Sequence, residues 1–323
     1  MNLNFKRYNK SIVIKNPLRL FIAIYIPLFI FSSCKSTQKN DALSEIQNTN
    51  ALLWEISVDG QSQPSYIYGT IHMIDAEDYF LPDGTLGAID NAQKMVFEID
   101  MNEMTDMSKI MSIMNKVMMN GDTSLSDLLP KEDYTLVENY FNEMGLPFMF
   151  FKKMKPMFLT AMTYGDGGVS GFQNGGIKSY ELEFFDIAKD KNMQVGGLET
   201  MEFQLSLFDQ IPYKAQAKML VDAIKNSKEG SDELEKMTEL YKAQNIIEMA
   251  SSIQEEGADI ANFEDELVVK RNKNWVPLII STSKSMPVFY AVGAGHLGGV
   301  NGVLQLLANE GVKVRPVLAK KSL

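Results

Sequence analysis

Hydrophobic and polar positions form two short strand-like runs early in the chain, residues 51–58 (ALLWEISV) and 64–70 (PSYIYGT), separated by the polar segment DGQSQ. Runs rich in Trp, Ile, Val and Tyr that flank a Gly, Asp and Ser cluster predict a β-hairpin. Beyond His72, residues 81–93 (LPDGTLGAIDNAQ) open on Pro and Asp and carry apolar Leu86, Ala88, Ile89 and Ala92, the pattern of a short helix. Residues 94–101 (KMVFEIDM) then return as a strand. The far end repeats the sequence of events: strand 286–292 (MPVFYAV), loop GAGHL, a helix in 298–311 with Val300, Val303, Leu304 and Leu307 on one face, and strand 312–317 (VKVRPV). Each strand, helix, strand unit of this length predicts a right-handed parallel crossover.

Between these units the pattern is mostly helical. Met104, Met107, Met111, Met114 and Met118 recur every three or four residues and predict one apolar stripe on a helix over 104–119. The stripe reads first as a helix packed on the core or serving as a lid. A copper(I) site or a flexible substrate groove is the sharper alternative for seven methionines between 101 and 119. Further helices are expected over 129–145, bounded by Pro130 and Gly145, over 179–192, and over 200–210, 213–228, 231–250 and 261–284, with a strand at 193–199. Residues 163–176 (TYGDGGVSGFQNGG) read as a surface loop, or as one folding over a site. The expected fold is α/β: a mixed sheet with parallel strand, Gly-x-x-His, helix, strand units at both ends and a largely helical middle. No solenoid period is present.

The first 33 residues stand outside this pattern. Five cations and no acid precede the apolar run LFIAIYIPLFIF, which predicts a secretion signal too short for a confident membrane span. It ends in FSSC, whose Cys34, the only cysteine, sits where a bacterial lipoprotein carries its lipid. Residues 1–33 are thus expected to be a lipoprotein signal peptide, 34–50 a polar tether and 51–323 the domain, lipid-anchored on the extracytoplasmic side of a bacterial envelope, periplasmic or at the outer membrane. The mature chain keeps no thiol for disulfides, thiol catalysis or thiolate ligation. Removing the five cations from a formal net charge of −10 leaves about −15, which disfavours nucleic acid as a partner.

Both histidines of the chain, His72 and His296, lie three residues after a glycine, in Gly69-Thr70-Ile71-His72 and Gly293-Ala294-Gly295-His296, each between a strand and a helix. Loops at the carboxyl ends of parallel strands are where ligands collect in open α/β sheets, so the two are expected to be halves of one site. Glu98, flanked by Phe97 and Ile99 within a strand, is a carboxylate that needs a cation or donor. Two imidazoles and a carboxylate with an open position suit a hydrolytic zinc or manganese ion; the same groups also serve metal-free acid–base hydrolysis.

LLWEISVDG, SYIYGTIH, VFEIDM, SYELEF, VGGLETMEFQ, RNKNW and FYAVGAGHLGGVNGVLQLLANEGVKVRPV together resemble the TraB/GumN family, which includes the PrgY and animal Tiki proteins, over about residues 51–317. The resemblance implies a fold related to the ChaN-like and erythromycin-esterase proteins and, through the Tiki branch, metal-dependent peptidase activity on secreted proteins. It assigns His72, His296 and Glu98 to catalytic or metal-binding positions for a divalent ion such as Mn, Co or Zn, and Glu199 and Arg271 to secondary ones. Glu199 either ligates metal or caps the following helix; Arg271 either binds a substrate carboxylate or pairs with an acid. Three readings follow: a lipid-anchored metal-dependent hydrolase of peptides or secreted proteins, an envelope protein that binds a peptide or haem-like ligand without cleaving it, and a metal-free esterase.

Overall fold

The computed structural model describes residues 46–163, 175–255 and 265–318. The signal segment, Cys34, most of the tether, most of the 163–176 loop and the start of the helix expected at 261 lie outside the described residues. Residues 46–48 are helical, Ile46 is buried and the Gln47 amide donates to Gln305 at 3.0 Å, so the last residues assigned to the tether pack on the domain.

A six-stranded mixed sheet organises the fold, in the order β6-β4-β7-β2-β1-β8. Its strands are β1 (Leu53–Ser57), β2 (Ser65–Thr70), β4 (Lys94–Ile99), β6 (Gln194–Glu199), β7 (Val288–Gly293) and β8 (Lys313–Pro316). A two-residue pair, β3 (Ile74–Asp75) with β5 (Ile177–Lys178), stands apart. β6, β4, β7 and β2 run parallel, whereas β1 pairs antiparallel with both β2 and β8. The expected hairpin is β1 and β2. Every residue of β2 and five of the six in β7 are buried, as strands covered on both faces require.

The terminal units form with α1 (Thr85–Asp90) between β2 and β4 and α12 (Val303–Asn309) between β7 and β8; the far helix is shorter than expected, because the glycine-rich 298–302 turns ahead of it and leaves Val300 68% exposed rather than on its apolar face. Their strands are not neighbours: β7, from the far end of the chain, inserts between β2 and β4. Its register, Thr70↔Gly293 on one side and Phe97↔Ala291 on the other, sets both Gly-x-x-His loops and Glu98 at the same rim. β6 adds Glu199 there through Ile99↔Glu199.

The helical middle comprises α2 (Met107–Lys116), α3 (Leu125–Leu128), α4 (Lys131–Glu143), α5 (Pro156–Ala161), α6 (Tyr180–Asp190), α7 (Met201–Leu207), α8 (Tyr213–Lys225), α9 (Ser227–Lys242), α10 (Ile246–Glu255) and α11 (Lys270–Ser285). Val137, Phe141, Phe148, Leu159, Leu220 and Val221 build a second core from α4, α5, α8 and the turn around Phe148. The helix expected over 231–250 divides at Gln244, which takes a left-handed φ of 56° while its side-chain carbonyl accepts from the Leu52 amide at 3.2 Å.

The methionine helix differs most from expectation. Asp106 interrupts it and caps α2 by accepting from Ser108 and Lys109. Met107, Met111 and Met114 are 70%, 63% and 51% exposed, so the stripe faces solvent rather than the core. Ile110 and Ile113 are the half-buried residues of α2, and Ser112 and Lys116 reach Glu202 on α7.

Two glycines fix how the motifs pack. A Cβ on Gly69 would lie 2.8 Å from Leu297 and 3.0 Å from Ala294, so only glycine lets the second motif's loop rest on β2. A Cβ on Gly293 would stand 3.2 Å from a Glu98 carboxylate oxygen. Replacing Gly69 by Ala is expected to cost about 1–3 kcal/mol through overpacking, seen as a Tm lowered by roughly 2–10 °C in a thermal melt. Gly87→Ala, where nothing lies within 4 Å, leaves Tm unchanged or raised. An unchanged Tm for Gly69→Ala would contradict this packing.

Candidate active site

Arg271, in the first turn of α11, is buried at the rim of the sheet. Its Nε donates to Glu199 at 2.9 Å, and its Nη2 donates to Glu199 at 2.5 Å and to Glu98. Its Nη1 donates to the Leu267 carbonyl at 3.0 Å, a group presented by the π-turn Asp265–Val269 ahead of the helix. The planar fork matches two carboxylates delivered by adjacent strands, β4 and β6. Of the two roles open to Arg271, the structure displays pairing with acids. Glu199 also accepts from the Trp275 indole at 3.1 Å, and Gln204 on α7 donates to both Glu98 and Glu199 at 3.2 Å.

His296 completes the cluster. The Asn272 side-chain NH2 donates to the carbonyls of His296 and Asn301, so its oxygen faces His296 Nδ1 at 2.7 Å and must accept from it. The ring proton therefore sits on Nδ1, and the Nε2 lone pair points at Arg271 Nη1, 3.2 Å away, and toward Glu98 Oε1 at 3.8 Å. The ring packs on Trp275 with centroids 4.5 Å apart.

Burial pushes His296 down to about 4, leaving it neutral at pH 7. Burial alone would raise Glu98, but the charges of His296, Arg271 and His72 and the Gly293 amide, which donates at 2.8 Å, hold it at about 2. Because His296 is uncharged at neutral pH, Arg271 and His72 carry the charge that keeps Glu98 ionised there.

His72 occupies the mouth of the same site. Its partner is Glu181 of α6, 3.0 Å from Nδ1. Glu181 is itself held by the Thr70 hydroxyl at 2.7 Å and the Ser179 hydroxyl at 2.9 Å. The bond to Glu181 pushes His72 up to about 9. The His72 side chain is 77% exposed, so solvent screens the pair. His72, Glu98, Glu181 and Gln204 share one cavity of about 240 Å³.

The structure thus joins Glu98, Glu199, Arg271 and His296 directly and places His72 at the same cavity, without drawing its ring into the cluster. Glu181, Asn272, Trp275 and Gln204 were not singled out from the sequence, although each lies inside a motif quoted above. Glu98 and the His296 Nε2 lone pair are donors of the right type for a divalent ion and stand close together, with His72 across the cavity as a third. The donor chemistry therefore fits an ion, although among the described residues no three His, Cys, Asp or Glu side chains already form a cage.

A family model described as the TraB/PrgY/gumN family matches residues 52–316. The chain belongs to this family. Relatives of this member include the Metalloprotease TIKI1 of Danio rerio, 24% identical over 82% of the chain and 63% of the relative, and that of Homo sapiens, 24% identical over 84% and 64%. The Metalloprotease TIKI homolog of Nematostella vectensis is 20% identical over 88% and 71%. The chain spans under two thirds of the length of the two TIKI1 relatives. No solved structure matches it.

The buried His296 sets a pH dependence. A neutral imidazole with a lowered folded value adds stability that is complete above its ordinary 6.5 and is lost as pH falls toward about 4, because the unfolded chain takes up the proton first. Urea unfolding in chelator is expected to show stability falling across this window, with the slope flattened in His296→Gln. Parallel slopes in the two proteins would place the titration elsewhere.

Proposed function

We propose that the protein is a divalent-metal-dependent hydrolase of peptide bonds in extracytoplasmic proteins, anchored to the envelope by lipid on Cys34. The observation that carries this reading is the convergence of ionised Glu98 with the Nε2 lone pair of His296 at the carboxyl ends of parallel strands. Membership of a family whose relatives are named metalloproteases supports it. Glu98 and His296 Nε2, with His72, would hold the ion. A bound divalent ion polarises a carbonyl and lowers the pKa of water toward neutrality.

The chain's own groups supply the rest. Asn272 fixes the tautomer that leaves His296 Nε2 with its lone pair on the Glu98 side, as groups hydrogen-bonded to metal-binding histidines do. Glu181 holds His72 through Nδ1, which leaves Nε2 as the ring atom that would face the ion. Glu199 and Trp275 keep Arg271 beside Glu98, so the carboxylate stays ionised in a site where burial opposes it. No helix among the described residues is long and apolar enough to cross a membrane, so the anchor in this proposal is the lipid.

A second reading, capture of a peptide without cleavage, is favoured by one contact: the Arg271 guanidinium covers the Glu98 oxygen and His296 nitrogen that an ion would use. Incubating the full chain with mixed peptides and Mn, Co or Zn, beside a chelator control, separates the two. Chelator-sensitive products are expected, with loss of turnover in His72→Ala and His296→Ala and a drop of about 10–100-fold in Glu181→Gln. Intact peptide retained under every metal would favour capture, and chelator-resistant products a metal-free esterase. For the anchor, mass spectrometry of membrane-extracted protein is expected to show an acylated N-terminal fragment that disappears in Cys34→Ala; an unmodified Cys34 would refute the lipid.

A further inference from the structure

The cavity beside His72 and Glu98 has two unlike walls. Glu98, Glu181 and Gln204 make one; Phe97, Ile99, Met101, Met104 and Leu182 make the other. Phe97 and Met101 are buried and fix the floor, while Met104 and Leu182, 49% and 43% exposed, form a lip in solvent. On the polar wall the acids already have partners, Glu98 in Arg271 and Glu181 in His72, so the wall offers no unmatched charge to a cationic or anionic side chain. Met107, Met111 and Met114 of α2, the helix that follows Met104 in the chain, are exposed as well. Contiguous apolar surface left open to water marks a binding site, and unbranched thioether side chains adapt to occupants of different shape.

We infer that this cavity is a specificity pocket for an uncharged apolar side chain of an extended peptide, of leucine, methionine or phenylalanine size, next to the bond presented to His72 and Glu98. This rests on the peptide substrate proposed above and adds which peptides are taken: segments with an apolar residue that a folded protein would bury, hence unstructured or terminal stretches. Continuity between the apolar wall and the residues of the site argues for substrate as the occupant, since a side chain in the pocket draws its own backbone across Glu98.

The test uses the full chain with 13C-methyl-labelled methionine, in chelator, titrated with decapeptides of glycine and serine bearing one central leucine, serine or glutamate. The leucine peptide is expected to shift the Met101 and Met104 methyl resonances and to bind at least about tenfold more tightly than the other two. Leu182→Gln should weaken it about tenfold, with the buried Met249 methyl unmoved as the sign of an intact fold. Equal binding of all three peptides, no shift at Met101 and Met104, or the same shifts arising on concentrating the protein alone would overturn the pocket, the last by assigning the face to a second copy of the chain. Cleavage with no apolar preference next to the cut would overturn the pocket while leaving peptide hydrolysis standing. Selective leucine binding without cleavage under any metal would do the reverse.

Discussion

One guanidinium ties the site together. Burying Arg271 with Glu98 and Glu199 costs several kcal/mol of desolvation per ion, and the arrangement is tolerable only because the fork is matched: Nε, Nη1 and Nη2 each find an acceptor. Those acceptors come from β4, from β6 and from the turn that opens α11, so a single side chain sets the spacing of three elements. The π-turn at Asp265–Val269 belongs to this constraint, since it brings the Leu267 carbonyl onto Nη1; such wide turns recur where a helix must aim a functional group.

The same constraint divides the labour between the two imidazoles. His296 is buried against Trp275, pinned by Asn272 and neutral. His72 stands in solvent at the cavity mouth and is drawn toward its charged form by Glu181. Two identical side chains thus have their proton affinities pushed in opposite directions by their surroundings, His296 down by burial and His72 up by Glu181.

The order of elements in the terminal units was legible because Gly-x-x-His between an apolar strand and a helix is a local pattern; the start of the second helix was not, since residues 298–302 turn before it and expose Val300. The juxtaposition of Glu98 with His296 was not legible locally: it depends on β7 inserting between β2 and β4, a pairing across about two hundred residues that no short-range pattern encodes. Glu181 and Asn272 escaped notice for a related reason. Each acts on a histidine over a hundred or over twenty residues away, so its sequence surroundings read only as helix start and helix interior. The methionine stripe shows a further limit. Periodicity fixes that Met107, Met111 and Met114 share a face, but whether that face meets core or water depends on what packs against it, and here Ile110 and Ile113, not the methionines, are withdrawn from solvent.

If the Arg271 fork is what organises the rim, its energy must be shared with Glu98 rather than held by either residue alone. The direct measurement is a double-mutant cycle of Arg271→Met and Glu98→Gln, with unfolding free energies from urea titration of the four proteins at pH 7 in chelator. The account predicts a coupling of at least about 1.5 kcal/mol. Effects that add to within about 0.5 kcal/mol would contradict it.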